Sequence, residues 1–486
     1  MTSTLLRSTA FVCALFSGYL AAFMAIPALF DVVRGSDEWQ VFAASALLVG
    51  GLAAGVGLAT HSPSQLPSST RFGFLLVNAV WVTTALGGAV PFMGAPTHLS
   101  FTDAVFESVS ALTTTGSTVI VGLDELPPGI LFWRSFLQWI GGIGVIALGL
   151  FILPLLKVGG LTYLKIESSD TDERPLHRMA TYTKALVAVY ALLSLLCAIL
   201  YAFAGMSVFD AINHAMTTLS TGGFSTHDSS LGFYGDRPLV LWVGTVFMFC
   251  GALPFSILIL LAVRGRLEAL GDPQIKVFAG YCAFFILAVA IYWTLTAGTP
   301  FLHSLTHSAF NFVSIITTTG YASGDYSLWG PFVVACAFVA TFLGGCSGST
   351  SGGIKAYRFL VMFKILTAGL RSLVYRNSVT PLRYGNRPIG ADIQAAVLLF
   401  VVSFFVLWAV LILLLGATGL DFVTASTGAL TALTNVGPGL GMIIGPAGNF
   451  ATLPDASKWV LSLAMLLGRL EILAVLVLLS PAFWRA

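Results

Sequence analysis

Ten apolar stretches, each of about 20 residues or more and so able to cross a hydrocarbon core of roughly 30 Å as a helix, recur along the sequence. They run approximately over 8–30, 39–60, 72–93, 132–156, 182–205, 238–263, 275–297, 329–363, 392–418 and 457–483. Lipid is therefore the main solvent of this chain, which accounts for 57% hydrophobic and only 9% charged residues in a length of 486. The first stretch follows Arg7 but is long and lacks a small-residue cleavage site before Asp31, so it reads as a retained helix rather than a signal peptide.

The charges sort by side of the membrane. With the N-terminus inside, the segments 157–184, 264–276 and 364–391, the 61–71 loop and both termini share the cytoplasmic face. Of the 23 lysines and arginines 18 fall on that side, 16 in those segments and Lys355 and Arg358 at the inner end of the eighth span. Arg34, Arg134, Arg237 and Lys458 fall outside, as do 13 of the 21 carboxylates, and Arg469 lies within a span. Such sorting reports orientation and gives no reason to expect a nucleic-acid partner. Cys13, Cys197, Cys250, Cys282, Cys336 and Cys346 all lie in apolar segments, where they read as small hydrophobes rather than disulfides or metal ligands.

After the first two spans a unit of about 100 residues repeats four times: a spanning helix, a half-length apolar segment, a Thr- and Gly-rich knot, and a second spanning helix. The knots read Thr113-Thr114-Thr115-Gly116-Ser117, Leu219-Ser220-Thr221-Gly222-Gly223, Thr317-Thr318-Thr319-Gly320-Tyr321 and Thr434-Asn435-Val436-Gly437-Pro438. Aligned on Gly116, Gly222, Gly320 and Gly437, they lie 106, 98 and 117 residues apart. The segments before them, such as 101–112 and 209–219, reach only about halfway across a bilayer and predict re-entrant half-helices. Asp103, Asp210 and Asp421 stand near three of their starts, where a carboxylate caps exposed amides.

Irregular backbone at membrane depth survives only against protein, water or an ion path. Isolated Gly and Thr in a membrane helix serve close packing, but four such knots in register point to a shared axis. Rings of backbone carbonyls replace the hydration shell of a monovalent cation, and glycine permits the φ > 0 that turns carbonyls inward. The candidate filter is Thr114, Thr115 and Gly116; Ser220, Thr221 and Gly222; Thr318, Thr319 and Gly320; and Asn435, Val436 and Gly437.

These loops resemble those of the Trk/Ktr/HKT superfamily of potassium transporters, and the extra N-terminal helix pair resembles the Trk-H type. Leu219 to Thr226 and Thr434 to Gly441 are similar to the family beyond their glycines. The resemblance implies an all-α polytopic membrane protein with ten transmembrane helices, four re-entrant pore helices and fourfold pseudo-symmetric repeats. It divides the chain into an N-terminal helix pair (1–68) and pore repeats at 69–160, 161–268, 269–375 and 376–486. It further implies potassium uptake across the bacterial inner membrane, potassium held at the filter residues, no cofactor, a homodimer, and a cytosolic nucleotide-binding regulatory subunit of the Trk-A type. Plant relatives that favour sodium resemble this pattern with Ser in place of the first glycine, whereas here Gly116 is present.

The run Gly344-Gly345-Cys346-Ser347-Gly348-Ser349-Thr350-Ser351-Gly352-Gly353 interrupts the eighth span. Five glycines at roughly 1 kcal/mol each favour a loop over a helix, although Gly344, Gly348 and Gly352 also share the spacing of a packing face. It is no nucleotide-binding P-loop, because Ile354 separates Gly353 from Lys355. The resemblance implies an intramembrane gate, with Arg469 of the last span beside it. Arg469 reads as the one basic residue deep in a span and must face protein or water, and Glu471, two residues on, lies on another face of the helix. The 344–353 run reads as the one long break in an inner helix.

His214 and His307 lie in half-helices and either pack or sense pH. No nucleophile–base set, carboxylate pair or metal-spaced cysteines appear, which argues against an enzyme. The competing readings are a secondary transporter of another small solute built on inverted repeats, a sodium-permeable cation transporter, and a membrane scaffold. A period with every knot on the outer side favours parallel repeats around a pore.

Overall fold

The computed structural model describes residues 2–61, 69–94, 96–147, 175–375, 381–385 and 387–485. The end of the fourth predicted span and most of the first basic cytoplasmic segment lie outside the described residues. Helices α1 (Thr2–Phe23) and α2 (Ala25–Arg34) form one long crossing, and α3 (Trp39–Thr60) returns beside α1.

Four helix–half-helix–helix units follow. The first holds α4 (Thr70–Ala89), α5 (Phe101–Leu112) and α6 (Pro128–Ala147); the second α7 (Pro175–Phe203), α8 (Val208–Leu219), α9 (Pro238–Gly251) and α10 (Phe255–Arg264). The third holds α11 (Pro273–Ala297), α12 (Phe301–Ile316), α13 (Pro331–Ala340) and α14 (Ala356–Val374). Strands β1 (Arg383–Tyr384) and β2 (Arg387–Pro388) pair antiparallel before the last unit: α15 (Ala391–Ala417), α16 (Phe422–Thr434), α17 (Asp455–Arg469), α18 (Ile472–Leu479) and α19 (Pro481–Arg485). The chain is a multi-pass membrane protein, and its outer surface carries side chains such as Leu47, Leu58, Phe203, Leu295 and Leu413 exposed to the bilayer.

The half-helices α5, α8, α12 and α16 span 12, 12, 16 and 13 residues. Two of their starts follow one design, a third has another cap, and α12 begins after Pro300 with no side-chain cap. Ser100 Oγ accepts the Asp103 N–H at 3.1 Å and donates to Asp103 Oδ2 at 2.9 Å; Ser207 and Asp210 repeat this pair. Asp103 and Asp210 thus occupy the third helical position, with serine as the cap, whereas Asp421 itself caps α16 by accepting the Thr424 N–H.

Two predicted spans are not continuous. The sixth bends by 101° between α9 and α10, and the tenth by 113° between α17 and α18. At the first break Pro254 has no N–H to give, while the Phe255 N–H donates to Gly348 O and Ala252 O accepts the Cys346 N–H, each at 2.9 Å. At the second break Glu471 adopts φ +61 and pairs with Arg358 of α14. The 344–353 run is therefore not the only interruption of an inner helix. Arg469 is not alone either, because Arg134, Lys355 and Arg358 are also buried.

The units close in a circle. Inner helix α6 packs against α8 of the next unit, α9 against α12, and α17 of the last unit against α5 of the first. Glycines allow these approaches: a Cβ on Gly141, Gly251 or Gly468 would collide with the carbonyl of Leu112, Leu219 or Leu433, the last turns of α5, α8 and α16.

Candidate functional site: the pore-loop ring and the loop beneath it

Each half-helix ends in the same backbone figure. The N–H groups of Thr115, Gly222, Thr319 and Val436 each donate five residues back, to Ser110, Thr217, Ser314 and Thr431, at 2.8–3.0 Å. Just before them Thr114, Thr221, Thr318 and Asn435 adopt φ of 51°, 51°, 57° and 56°. Just after them Gly116, Gly223, Gly320 and Gly437 stand at φ of 85°, 79°, 86° and 104°. In the second repeat the left-handed glycine is thus Gly223, one residue beyond Gly222, and Gly222 takes the place that Thr115, Thr319 and Val436 hold elsewhere.

The left-handed glycines form a closed cycle. A Cβ on Gly116 would collide with Gly222 O, on Gly223 with Thr319 O, on Gly320 with Val436 O, and on Gly437 with Thr115 O. Every loop is in backbone contact with the next, and the fourth returns to the first. Thr114, Thr115, Ser220, Thr221, Thr318, Thr319, Asn435 and Val436 are all fully buried. Among the described residues, Thr114 Oγ1 and Asn435 Oδ1 have no hydrogen-bond partner.

Side chains outside the loops fix the ring. Gln138 of α6 donates from Nε2 to Gly222 O at 2.6 Å and accepts the Phe224 N–H at 3.0 Å. Ser117 Oγ donates to Gly437 O at 2.9 Å, and Asn435 Nδ2 to Thr115 Oγ1 and to Met465 O, each at 2.9 Å. Behind the first loop Arg134 Nε bonds Glu107 Oε1 at 2.8 Å, with both side chains fully buried. The same guanidinium donates to Ser225 O at 2.9 Å and covers the Phe224 ring at 4.1 Å, while Glu107 accepts the Val119 N–H.

The 341–355 segment lies directly under this ring. Gly352 N–H donates to Thr318 Oγ1 at 2.6 Å, Gly353 N–H to Thr434 O at 2.8 Å, and Thr350 Oγ1 to Leu219 O and Gly251 O. The stretch folds on itself: Leu343 and Ile354 form a parallel bridge, Ser351 Oγ accepts the Gly345 N–H, and Ser349 Oγ donates to Cys346 O. Ser347 N–H donates to Gln274 Oε1. Arg469 reaches it through one bond, Nη1 to Thr350 O at 2.7 Å, and its Nε and Nη2 find no partner among the described residues. Lys355 bonds Ser351 O.

A family model described as a cation transport protein, TrkH, matches residues 40–485. The chain belongs to the TrkH family. Among its relatives, the Trk system potassium uptake protein TrkI of Halomonas elongata is 48% identical over 469 residues, 96% of this chain and 94% of that one. The Trk system potassium uptake protein TrkH of Escherichia coli K12 is 38% identical over 423 residues, 86% of each chain. The crystal structure of the potassium transporter TrkH from Vibrio parahaemolyticus matches with a TM-score of 0.91 at 34% identity, covering 99% of this chain and 100% of that chain.

Within this TrkH-family chain, the structure brings eleven of the twelve predicted loop residues to ring positions, Ser220 standing one residue earlier at the place of Thr113, Thr317 and Thr434, and sets Gly344 to Gly353 with Arg469 against the underside. Sequence reasoning missed the Glu107–Arg134 pair and Gln138. The signal was present: a carboxylate in the middle of one half-helix and an arginine just inside the following span each need a buried partner. It also missed the Arg358–Glu471 pair, which only the bend at Glu471 makes reachable. His214 bonds Asp210 O and Ser225 Oγ, and His307 bonds Ser323 Oγ. The six cysteines are free, and among the described residues no group of three or more His, Cys, Asp or Glu side chains suits a metal ion.

Proposed function

We propose that this chain takes up potassium across the bacterial inner membrane through the four-loop ring, gated by the segment beneath it. One observation carries the reading: the closed cycle of left-handed glycines, each against the preceding-residue carbonyl of the next loop. Such a cycle supplies stacked carbonyls without fixed charge, the ligand set that binds a dehydrated monovalent cation and still releases it. The unpartnered hydroxyl of Thr114 adds a further oxygen to it. Potassium is favoured as the ion by the glycine at position 116 and by relatives that bear the name potassium uptake protein.

The filter then comprises Thr114 to Gly116, Ser220 to Gly223, Thr318 to Gly320 and Asn435 to Gly437. The gate comprises Gly344 to Gly353 with Arg469, whose cation below the ring repels potassium while the segment stays in place. Basic residues from Lys364 to Arg387 support docking of a separate cytosolic nucleotide-binding subunit, and the family resemblance supports a homodimer. Light scattering of the purified protein tests the dimer, and pull-down from native cytosol with and without those basic residues tests the subunit.

The decisive experiment is ion flux into liposomes holding the purified protein, potassium against sodium. Potassium flux that exceeds sodium flux supports the reading. Equal fluxes, or none for either ion in folded protein, overturn it.

A further inference from the structure

Beyond the glycine ring, the backbone leaving the first loop and the backbone leaving the second are tied by a reciprocal clamp. Asp228 Oδ1 accepts the N–H groups of Gly122 and Leu123, each at 3.1 Å, and Asp124 Oδ2 accepts the Asp228 N–H at 3.2 Å. His227 sits at its centre. Its Nδ1 bonds Asp124 Oδ1, and its Nε2 lies 3.7 Å from Asp210 Oδ2, at the start of pore helix α8. The imidazole lies flat on Phe233, with centroids 3.7 Å apart and planes within 4°, a stack that fixes the plane of both nitrogens only while it holds. His227 and Asp228 also line a cavity of about 70 Å³ that reaches Gly116, Gly223 and Gly320.

This geometry selects a protonation state. A neutral imidazole has one N–H and one lone pair, so between two carboxylates it must turn the lone pair toward one of them. The imidazolium bonds Asp124 through Nδ1 and turns its Nε2–H toward Asp210 Oδ2, which at 3.7 Å attracts it by charge, since Nε2 has no hydrogen-bond partner among the described residues. We propose that protonated His227, bridging Asp124 and Asp210, positions the outer ends of the first two pore loops, so that the proton concentration outside sets how selectively the pore passes potassium. This rests on the reading of the ring as an ion filter.

The neighbouring groups bear the proposal out by sign. Asp124 faces His227 from the first outer loop, Asp210 and His214 from α8, Asp228 from its own loop and Tyr234 from the following turn. Arg237 lies over the Tyr234 ring at 5.7 Å. Burial works against a charge on His227, but the Asp210 and Asp124 carboxylates outweigh it and raise its pKa above the ordinary 6.5. Burial likewise opposes the Asp124 charge, yet the bonds from His227 and the Asp228 N–H hold its pKa below 3.8. A raised histidine pKa means that the bridge is complete below the ordinary value and is lost as pH rises through the raised one.

The test pairs potassium and sodium flux in liposomes, with external pH stepped from about 6 to about 9, with histidine NMR titration of the purified protein. The wild-type potassium-to-sodium ratio is expected to fall by about two- to fivefold over that range, the scale of a partly exposed ion pair. His227→Gln, which donates to one carboxylate only, is expected to hold the low ratio at every pH; Asp124→Asn is expected to shift the midpoint of the wild-type profile downward. The His227 resonance is expected to titrate above 6.5. A ratio that stays flat with intact flux, a His227→Gln profile like the wild type's, or a His227 titration at or below the ordinary value overturns the proposal. Absent potassium flux at every pH overturns the filter reading, and this proposal with it, while the NMR titration reads the bridge independently of either.

Discussion

Replacing Gly223 by serine, beside Gly222→Ser as its control, tests the register of the second pore loop. Gly223 holds φ +79, and a Cβ there would collide with the Thr319 carbonyl. A non-glycine residue in left-handed backbone costs about 1–2 kcal/mol before any collision is counted. The collision is with backbone of the neighbouring loop, so relief requires the second and third loops to separate and the Thr319 carbonyl to turn. If that strain is released by a ring that no longer fits potassium, a differential of about 1–2 kcal/mol lowers the potassium-to-sodium ratio by roughly five- to thirtyfold. Gly222 is not in left-handed backbone, and a Cβ there meets the amide end of Gln138, a side chain that can move. Its serine variant is expected to change the ratio by less than about threefold, through the weakened Gln138 bonds. Flux ratios are read in liposomes, with thermal unfolding in detergent to confirm that both variants fold. Equal effects, or a larger effect at Gly222, would refute the assigned register.

Two further outcomes follow from the buried charges. Arg134→Met leaves Glu107 buried without its cation and is expected to lower stability by about 3–5 kcal/mol, while Glu107→Gln combined with Arg134→Met recovers much of it; equal melting temperatures for the single and double variants would show that the pair is not coupled. Arg469 meets the loop through one hydrogen bond to Thr350 O, so both Arg469→Ala and deletion of Ser347 to Ser351 are expected to raise partner-independent potassium flux. Wild-type or lower flux in both folded variants would make this contact structural and put the gate elsewhere.

What the sequence determined by itself is whatever lipid imposes locally. Hydrocarbon forbids unpaired backbone, so the apolar runs had to be helices, and the half-length segments ending in Gly-rich knots had to turn back where protein or an ion path receives them. The repeats, the candidate loops and the break at Gly344 to Gly353 were all legible on that ground. So was the need for a partner at Arg469, since a mid-membrane guanidinium is costly alone.

Tertiary structure decided what depends on contacts between units. A Thr-Gly-Gly string aligns on either glycine, and only the neighbouring carbonyl of Thr319 distinguishes Gly223 from Gly222. The bends after Gly251 and Arg469 lie within runs apolar enough to pass as single spans, and the gate segment and Arg358 satisfy the interrupted backbone and the carboxylate there. Gln138, Glu107 and His227 acquire their roles the same way. Their partners lie 84, 27 and 103 residues away at Gly222, Arg134 and Asp124; packing of α5 on α6 within the first unit joins Glu107 to Arg134, and contact between the first and second units brings the other two pairs within reach.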